Sequence, residues 1–128
     1  MEYVNQDIQM FFQSCPAMYP LFEDLRSELL RRFPDCHCKV QKTQISFSNR
    51  HLFACVSFLR VKKKTELPEA FFTLTLGLPT PLASERVAAK TEPYPGRWTT
   101  HLIISTPDDL DEELFGWVQQ AYDFSQNK

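Results

Sequence analysis

The stretch that decides the fold is Arg97–Phe124, RWTTHLIISTPDDLDEELFGWVQQAYDF. Its first part alternates between two sets of residues, the apolar Trp98, Leu102 and Ile104 and the polar Arg97, Thr99 and His101. A period of two is typical of a strand with one buried face and one wet face. Thr106, Pro107 and Asp109 then form a helix-start signal: an N-cap threonine, a proline at the first helical position and an acid three residues after the cap.

The residues that follow predict an amphipathic helix, because apolar side chains recur at helical spacing. These residues are Leu110, Leu114, Trp117, Val118 and Ala121. Working outward, further helices are expected over residues 4–14 and from Pro20 to Phe33. Strands are expected over residues 41–48, 52–61 and 70–78.

Residues 79–96 contain four prolines, and we expect them to be mostly irregular, with a short extended piece over residues 84–90. Together these elements predict an α+β fold. We expect a two-layer sandwich with a five- or six-stranded, mainly antiparallel sheet. The N-terminal helices and the C-terminal helix are expected to pack on one face of it.

Length and composition favour one globular domain over residues 1–128, because 43% of the residues are hydrophobic and eleven are phenylalanine. No run of about eighteen apolar residues occurs, so no membrane partner is expected. The N-terminus lacks a basic segment followed by an apolar one, and this favours a cytoplasmic protein. The four cysteines are expected to be reduced core thiols.

Charge is unevenly distributed along the chain. Residues 36–107 carry ten Lys or Arg against four Glu, a net charge of +6. Residues 1–35 carry six acids against three Arg, and residues 108–128 carry six acids against one Lys. If the ends are helices and the middle is a sheet, acidic helices cover a basic sheet.

Strand parity suggests that the basic sheet has a binding face. Its outward positions are Lys42, Gln44, Ser46, Thr73, Thr75, Arg86, Arg97, Thr99 and His101. Cations, hydroxyls and an imidazole suit an anion such as phosphate, a nucleotide or a nucleic-acid backbone, and Trp98 and Tyr94 offer a stacking plane. The candidate ligand-binding residues are Lys42, Thr43, Arg86, Arg97, Trp98 and His101. The competing interpretation is the ordinary polar side of a half-exposed sheet.

Motifs for catalysis or cofactor binding are absent from the sequence. It contains no Gly-rich phosphate loop, Walker motif, nucleophile elbow or EF-hand, so no cofactor is expected and an enzyme is disfavoured. Cys36, His37 and Cys38 suggest a metal site, but zinc ligands usually lie two to four residues apart in two pairs. Strand cysteines beside a solvated histidine are the simpler interpretation.

Several short segments resemble a bacterial domain of unknown function that is loosely labelled "predicted transport protein" and is similar to the YdhG type of frataxin-like α+β domains. The most specific of them are Lys42-Thr43 and Arg97-Trp98-Thr99-x-His101. The family often has paired histidines where this chain has Thr100-His101, which weakens a two-histidine metal site. The resemblance implies the α+β fold and brings no established activity, and the frataxin-like relatives suggest iron handling through an acidic ridge.

Three functions are therefore considered. The first is a non-enzymatic binding module whose sheet face takes an anionic small molecule, a nucleic acid or an acidic partner, as a monomer or a homodimer. The second is a metal (iron) chaperone that uses acidic helix residues, either Glu23, Asp24 and Glu28 or Asp108, Asp109, Asp111 and Glu112. The third is a small hydrolase or transferase with His101 as acid–base, although no local carboxylate accompanies this histidine.

Overall fold

The computed structural model describes the backbone of residues 2–127 and the side chains of residues 6–127. Three helices are present: α1 (Glu2–Phe11), α2 (Tyr19–Arg32) and α3 (Glu112–Gln126). Six strands lie between α2 and α3: β1 (His37–Val40), β2 (Ile45–Ser48), β3 (Leu52–Ser57), β4 (Phe72–Leu78), β5 (Val87–Tyr94) and β6 (Arg97–Ile104). Short 3-10 turns cover Phe12–Ser14, Pro16–Met18, Lys64–Glu66 and Pro107–Asp109.

The six strands form one sheet in the order β1-β2-β3-β4-β6-β5, and every neighbouring pair is antiparallel. Consecutive strands pair directly except that β6 lies between β4 and β5. The helices flank the sheet in sequence, and α3 packs against β3 and β4. The predicted α+β class, with N-terminal helices and a C-terminal helix on an antiparallel sheet, is confirmed.

The core lies between the helices and one face of the sheet, and phenylalanine rings dominate it. Phe12 and Phe22 from the helical segment contact Phe72 of β4 at ring-centroid distances of 6.3 and 6.2 Å, and Phe22 contacts Phe47 of β2 at 6.2 Å. All four side chains are fully buried. Burial of each is worth roughly 1.5–3 kcal/mol, so these rings are a main reason why helices and sheet stay together.

The start of the last helix differs from the prediction. Pro107–Asp109 forms a separate 3-10 turn, in which the Asp109 carboxylate accepts the backbone N–H groups of Ser105 and Thr106 at 2.9 and 3.0 Å. The helix α3 begins at Glu112, and the preceding residue, Asp111, caps it by accepting the N–H of Leu114 at 3.0 Å. Two acidic caps in succession therefore divide what the sequence suggested was a single helix start.

The predicted strand over residues 41–48 is wrong in its first half. Residues 41–44 form the turn between β1 and β2, closed by a hydrogen bond from the Gln41 N–H to the Gln44 carbonyl at 2.8 Å. Because His37–Val40 pairs with Ile45–Ser48, four residues must leave the ladder to reverse the chain. Lys42 consequently lies in a hairpin turn and not on a strand.

The Pro-rich segment contains more regular structure than expected, because β5 extends over Val87–Tyr94. Pro93 is tolerated there, since β5 is an edge strand and its outer side needs no backbone donor. Pro95 and Gly96 then turn the chain into β6, and Gly96 has a φ of 74°, as the second central residue of a type II turn requires.

A bulge in β3 changes the direction of one aromatic side chain. Ala54 lies opposite Phe47 and Leu52 lies opposite Ser48, so Phe53 is an extra residue in this pairing. Its ring contacts Phe33 at 5.5 Å and Tyr122 at 5.2 Å, among the helices. The bulge therefore turns Phe53 towards the helices.

All four cysteines are free; Cys36 and Cys55 are buried, and Cys15 and Cys38 are partly buried. None of the helices in the part of the chain that the structure describes has both the length and the apolar character that crossing a bilayer requires.

Candidate functional site

The face of the sheet opposite the core carries mainly small polar side chains. One row crosses five strands in direct register: Lys39, Ser46, Cys55, Thr75 and His101. Side chains of paired residues point to the same face, so this row is a continuous strip across the sheet. Three of its five residues, Ser46, Cys55 and Thr75, are small.

His101 and Thr75 form the central contact of this strip, with 2.8 Å between the imidazole Nδ1 and the threonine Oγ1. Burial lowers the pKa of His101, and burial raises the pKa of the neighbouring Cys55 thiol, which also hydrogen-bonds to Thr75. Imidazole and thiol are therefore both held in their neutral forms. The partner of His101 is a hydroxyl and not a carboxylate, so the arrangement does not resemble an acid–base dyad.

A groove of about 570 Å³ opens on this face, where the β2–β3 turn approaches the beginning of β6. Its polar and charged lining consists of His51, Thr75, Arg97 and Thr99, and its apolar lining includes Leu52 and Cys55. Gly77 lies opposite Thr99 and also lines the groove. A Cβ placed on Gly77 would meet no atom within 4 Å, so the missing side chain of this strand residue helps to make the surface concave.

Arg97 is exposed at this groove, and it takes part in no ion pair among the residues that the structure describes. Tyr94 lies directly opposite it in the β5–β6 hairpin and is 66% exposed. The two side chains therefore point to the same face, about 5 Å apart at their Cβ atoms. A guanidinium beside a phenol ring suits an anion, and particularly one attached to a planar group.

Trp98 does not belong to this groove. It alternates with Arg97 and Thr99 along β6 and pairs with Leu78, whose side chain is in the core. Its ring therefore points to the face that the helices cover. Tyr94, which the sequence only placed nearby, is the aromatic residue beside Arg97.

Arg86 lies outside the groove as well, because its guanidinium is hydrogen-bonded to residues at the N-terminal end of α3. Its guanidinium donates to the Asp111 carboxylate at 2.8 and 3.1 Å, to Glu113 at 3.0 Å and to the Asp109 carbonyl at 2.7 Å. It also lies over the Trp117 ring at 5.3 Å. The hydrogen bond from Arg86 lowers the pKa of Asp111. Arg86 therefore fastens the last helix to the sheet, and its expected place on the wet face is wrong.

Lys42 and Thr43 lie in the β1–β2 turn and line a different groove, together with Met10 and Phe11 of α1. Two strands, β3 and β4, separate β2 from β6, which is a distance of about 14 Å at the usual strand spacing. The structure thus brings Arg97 and His101 to one face but places Lys42, Thr43, Arg86 and Trp98 elsewhere. Lys42, Arg86, Arg97 and His101, which were expected to share one face as ligand-binding residues, are therefore not neighbours.

The candidate metal ligands are also dispersed. His37 is exposed, whereas Cys36 is buried and Cys38 is partly buried against the core. Within the described part of the chain, no group of three or more His, Cys, Asp or Glu side chains is arranged to hold a metal ion. Hydrogen bonds from Arg31 and Arg32 occupy Glu28 and hold its pKa at about 2.

Sequence reasoning missed His51, Leu52 and Gly77 as lining residues of the groove. Gly77 carried a usable signal, because a glycine within a strand often marks a place where another group approaches the backbone. His51 and Leu52 carried none, since their position depends on the bulge in β3.

Comparison with known proteins gives one match. A family model described as Domain of unknown function (DUF5655) matches residues 9–125. No curated protein and no solved structure matches the chain. The match agrees with the resemblance to a domain of unknown function and lends no support to the transport label or to a frataxin-like similarity. Since the matched segment spans most of the sequence, this chain belongs to the DUF5655 family.

Proposed function

We propose that this protein is a non-enzymatic binding domain, acting as one unit over residues 1–128, whose open sheet face takes an anionic group in the groove beside Arg97. The observation that carries the proposal is the exposed guanidinium of Arg97, which has no ion-pair partner among the described residues and lines a groove of about 570 Å³. An anion there replaces water around Arg97 with charge-assisted hydrogen bonds, which are about twice as strong as neutral ones.

The neighbouring residues support an anion rather than a cation. Thr75 and Thr99 bring hydroxyls to the groove, His51 brings an imidazole, and none of the described residues that line it is an acid. Tyr94 beside Arg97 favours an anion attached to a ring, such as a nucleotide. Stacking of several successive bases, as in single-stranded nucleic acid recognition, lacks support because Trp98 and Phe53 point towards the helices.

The test is a titration at low ionic strength with inorganic phosphate, a nucleoside monophosphate and a short single-stranded oligonucleotide. Calorimetry gives the affinity, and Tyr94, which lies opposite Arg97 in the β5–β6 hairpin, offers a ring whose proton resonances report occupancy. We expect the nucleotide to bind more tightly than phosphate, and added salt to weaken both. Size-exclusion chromatography with and without nucleotide shows whether a monomer or a homodimer binds.

Arg97→Ala is expected to weaken binding by about ten- to hundredfold, because a hydrogen bond to a charged group is worth roughly 1.5–3 kcal/mol. Gly77→Val fills the groove without changing charge and is expected to weaken binding as well. Arg60→Ala is the matched control, since it removes the same charge just beyond the opposite end of β3. Absence of binding to all three probes, or equal losses in Arg97→Ala and Arg60→Ala, contradicts the proposal.

The two other functions have weaker support. The acids expected to hold iron are largely engaged: Glu28 with Arg31 and Arg32, Asp111 with Arg86, and Glu112 with Arg32. A hydrolase with His101 as acid–base needs a group that orients and charges the imidazole, and Thr75 does not supply charge.

A further inference from the structure

A second groove lies between α1, the β1–β2 turn and the segment that follows β3. Its volume is about 520 Å³, and its lining includes Met10, Phe11, Lys42, Thr43, Phe58 and Leu59. An adjoining depression of about 350 Å³ shares Met10, Phe11 and Lys42 with it, so the two form one elongated trough. It is separate from the groove beside Arg97 and has a different chemistry.

The lining of this trough exposes large apolar side chains. Met10 is 64% exposed and Leu59 is 51% exposed, which makes them two of the four exposed large hydrophobic residues in the described part of the chain. Between them, the rings of Phe11 and Phe58 stack at 5.2 Å and 18° and are partly buried. Contiguous apolar surface of this kind marks interaction sites, and methionine adapts its shape to different partners.

The two parts of the trough differ in charge: among the described lining residues, the larger groove has Lys42 and no acid, whereas the smaller depression has both Lys42 and Asp7. Lys42 lies where the two depressions meet, and it forms no ion pair among the described residues. Asp7 is the acid that lines the trough, on the side away from Leu59. Beyond Leu59 the chain continues through an exposed basic run, Arg60, Lys62, Lys63 and Lys64. In the larger groove the apolar side chains therefore lie between Lys42 and this basic run, and the acid is confined to the smaller depression.

We propose that this trough docks an acidic, partly apolar peptide segment of another protein. An apolar side chain of that segment packs on Phe11 and Phe58 between Met10 and Leu59, and a neighbouring carboxylate pairs with Lys42. A peptide fits better than a small ligand because the trough is open and elongated, and it needs an apolar group and an anion at separate points along one chain. The interaction is independent of the proposed function, since it uses no residue of the Arg97 groove.

The test uses a random-peptide display library as the probe, selected on the complete chain. Selection is repeated on Met10→Lys, in which the apolar wall carries a charge. We expect peptides that combine a large apolar residue with Asp or Glu to be enriched on the unsubstituted chain and not on Met10→Lys. The location of binding is read from carbon-13-labelled methionine methyl groups: the signal of Met10 is expected to shift, and that of the buried Met18 is not.

Lys42→Glu is expected to weaken the binding of an enriched peptide about tenfold, because the ion pair is lost and the new carboxylate repels the acid of the peptide. Lys39→Glu is the matched control, because it makes the same charge change on the opposite face of β1. The affinity of this variant for the peptide is expected to stay within about twofold of that of the unsubstituted chain. The proposal is overturned if no peptide is enriched, if the enriched peptides bind Met10→Lys equally well, or if both charge reversals weaken binding alike. Decanoate is tested in parallel. A larger Met10 shift with decanoate than with peptide rejects a peptide as the occupant.

Discussion

Replacing Thr100 with valine is expected to stabilise the protein by roughly 1–3 kcal/mol. Thr100 lies on β6 between Leu76 and Lys90 of the neighbouring strands and is fully buried. Its Oγ1 is one of four buried side-chain polar atoms in the described residues that have no hydrogen-bond partner. A buried hydroxyl without a partner costs about 1–3 kcal/mol, and valine removes this cost while keeping nearly the same shape.

The measurement is urea unfolding of the two proteins, followed by fluorescence, together with thermal unfolding. We expect a higher urea midpoint with an unchanged slope, because the substitution does not alter the surface exposed on unfolding. For a domain of this size, each kcal/mol corresponds to about 3–5 °C in Tm. The expected rise is therefore roughly 3–15 °C.

Thr73→Val is the matched control. Thr73 is also fully buried, but its hydroxyl donates to the Leu59 carbonyl at 2.7 Å. Valine at this position leaves that carbonyl without its partner. Thr73→Val is therefore expected to lower the free energy of unfolding by about 1–3 kcal/mol. The reasoning is refuted if Thr100→Val is neutral or destabilising, or if the two substitutions change stability in the same direction.

Two further predictions concern His101 and Arg86. Because burial lowers the pKa of His101 below 6.5, the unfolded chain binds more protons in the window between the two values, and the free energy of unfolding should decrease as pH falls through that window. Urea midpoints measured between pH 7 and pH 5 test this, and His101→Asn should flatten that part of the profile; an unchanged profile contradicts it. Arg86→Ala should destabilise the protein by about 1–3 kcal/mol, since it breaks hydrogen bonds to Asp111, Glu113 and the Asp109 carbonyl. Urea unfolding measures this loss of stability. A change in the free energy of unfolding below about 0.5 kcal/mol shows that the packing of α3 on the sheet does not depend on this arginine.

The fold was predictable because burial sorts side chains with a simple period. Leu102 and Ile104 are buried, as their alternation with His101 indicated, and the same holds for Leu74 and Leu76 of β4. The turn at residues 41–44 was missed because Thr43 continues the alternation of Ile45 and Phe47, and no glycine or proline interrupts it. A period of two describes burial on a strand, but it also occurs by chance across a turn.

The candidate site was less predictable, because its geometry depends on contacts between distant residues. Arg86 was assigned to the wet face from its position before Val87, yet its partner Asp111 lies 25 residues further along the chain. The direction of the Phe53 side chain depends on the bulge in β3, which the spacing of residues along the chain does not reveal. Arg97 and His101 were placed correctly on one face because both lie within the regular part of β6.

The net charge of the middle segment acquires a physical meaning only when ion pairs are considered. In the described part of the chain, the acids that form ion pairs belong to α2 and to the start of α3. Their partners are arginines of α2 and, from the basic segment 36–107, Arg86. An unpaired surface cation by itself signifies little, because exposed ion pairs are worth only about 0–1 kcal/mol. Arg97 and Lys42 differ from other unpaired cations because each lines a groove, where a ligand would displace water from the charge. Concavity, and not the charge count, is therefore what makes these two residues candidates for recognition.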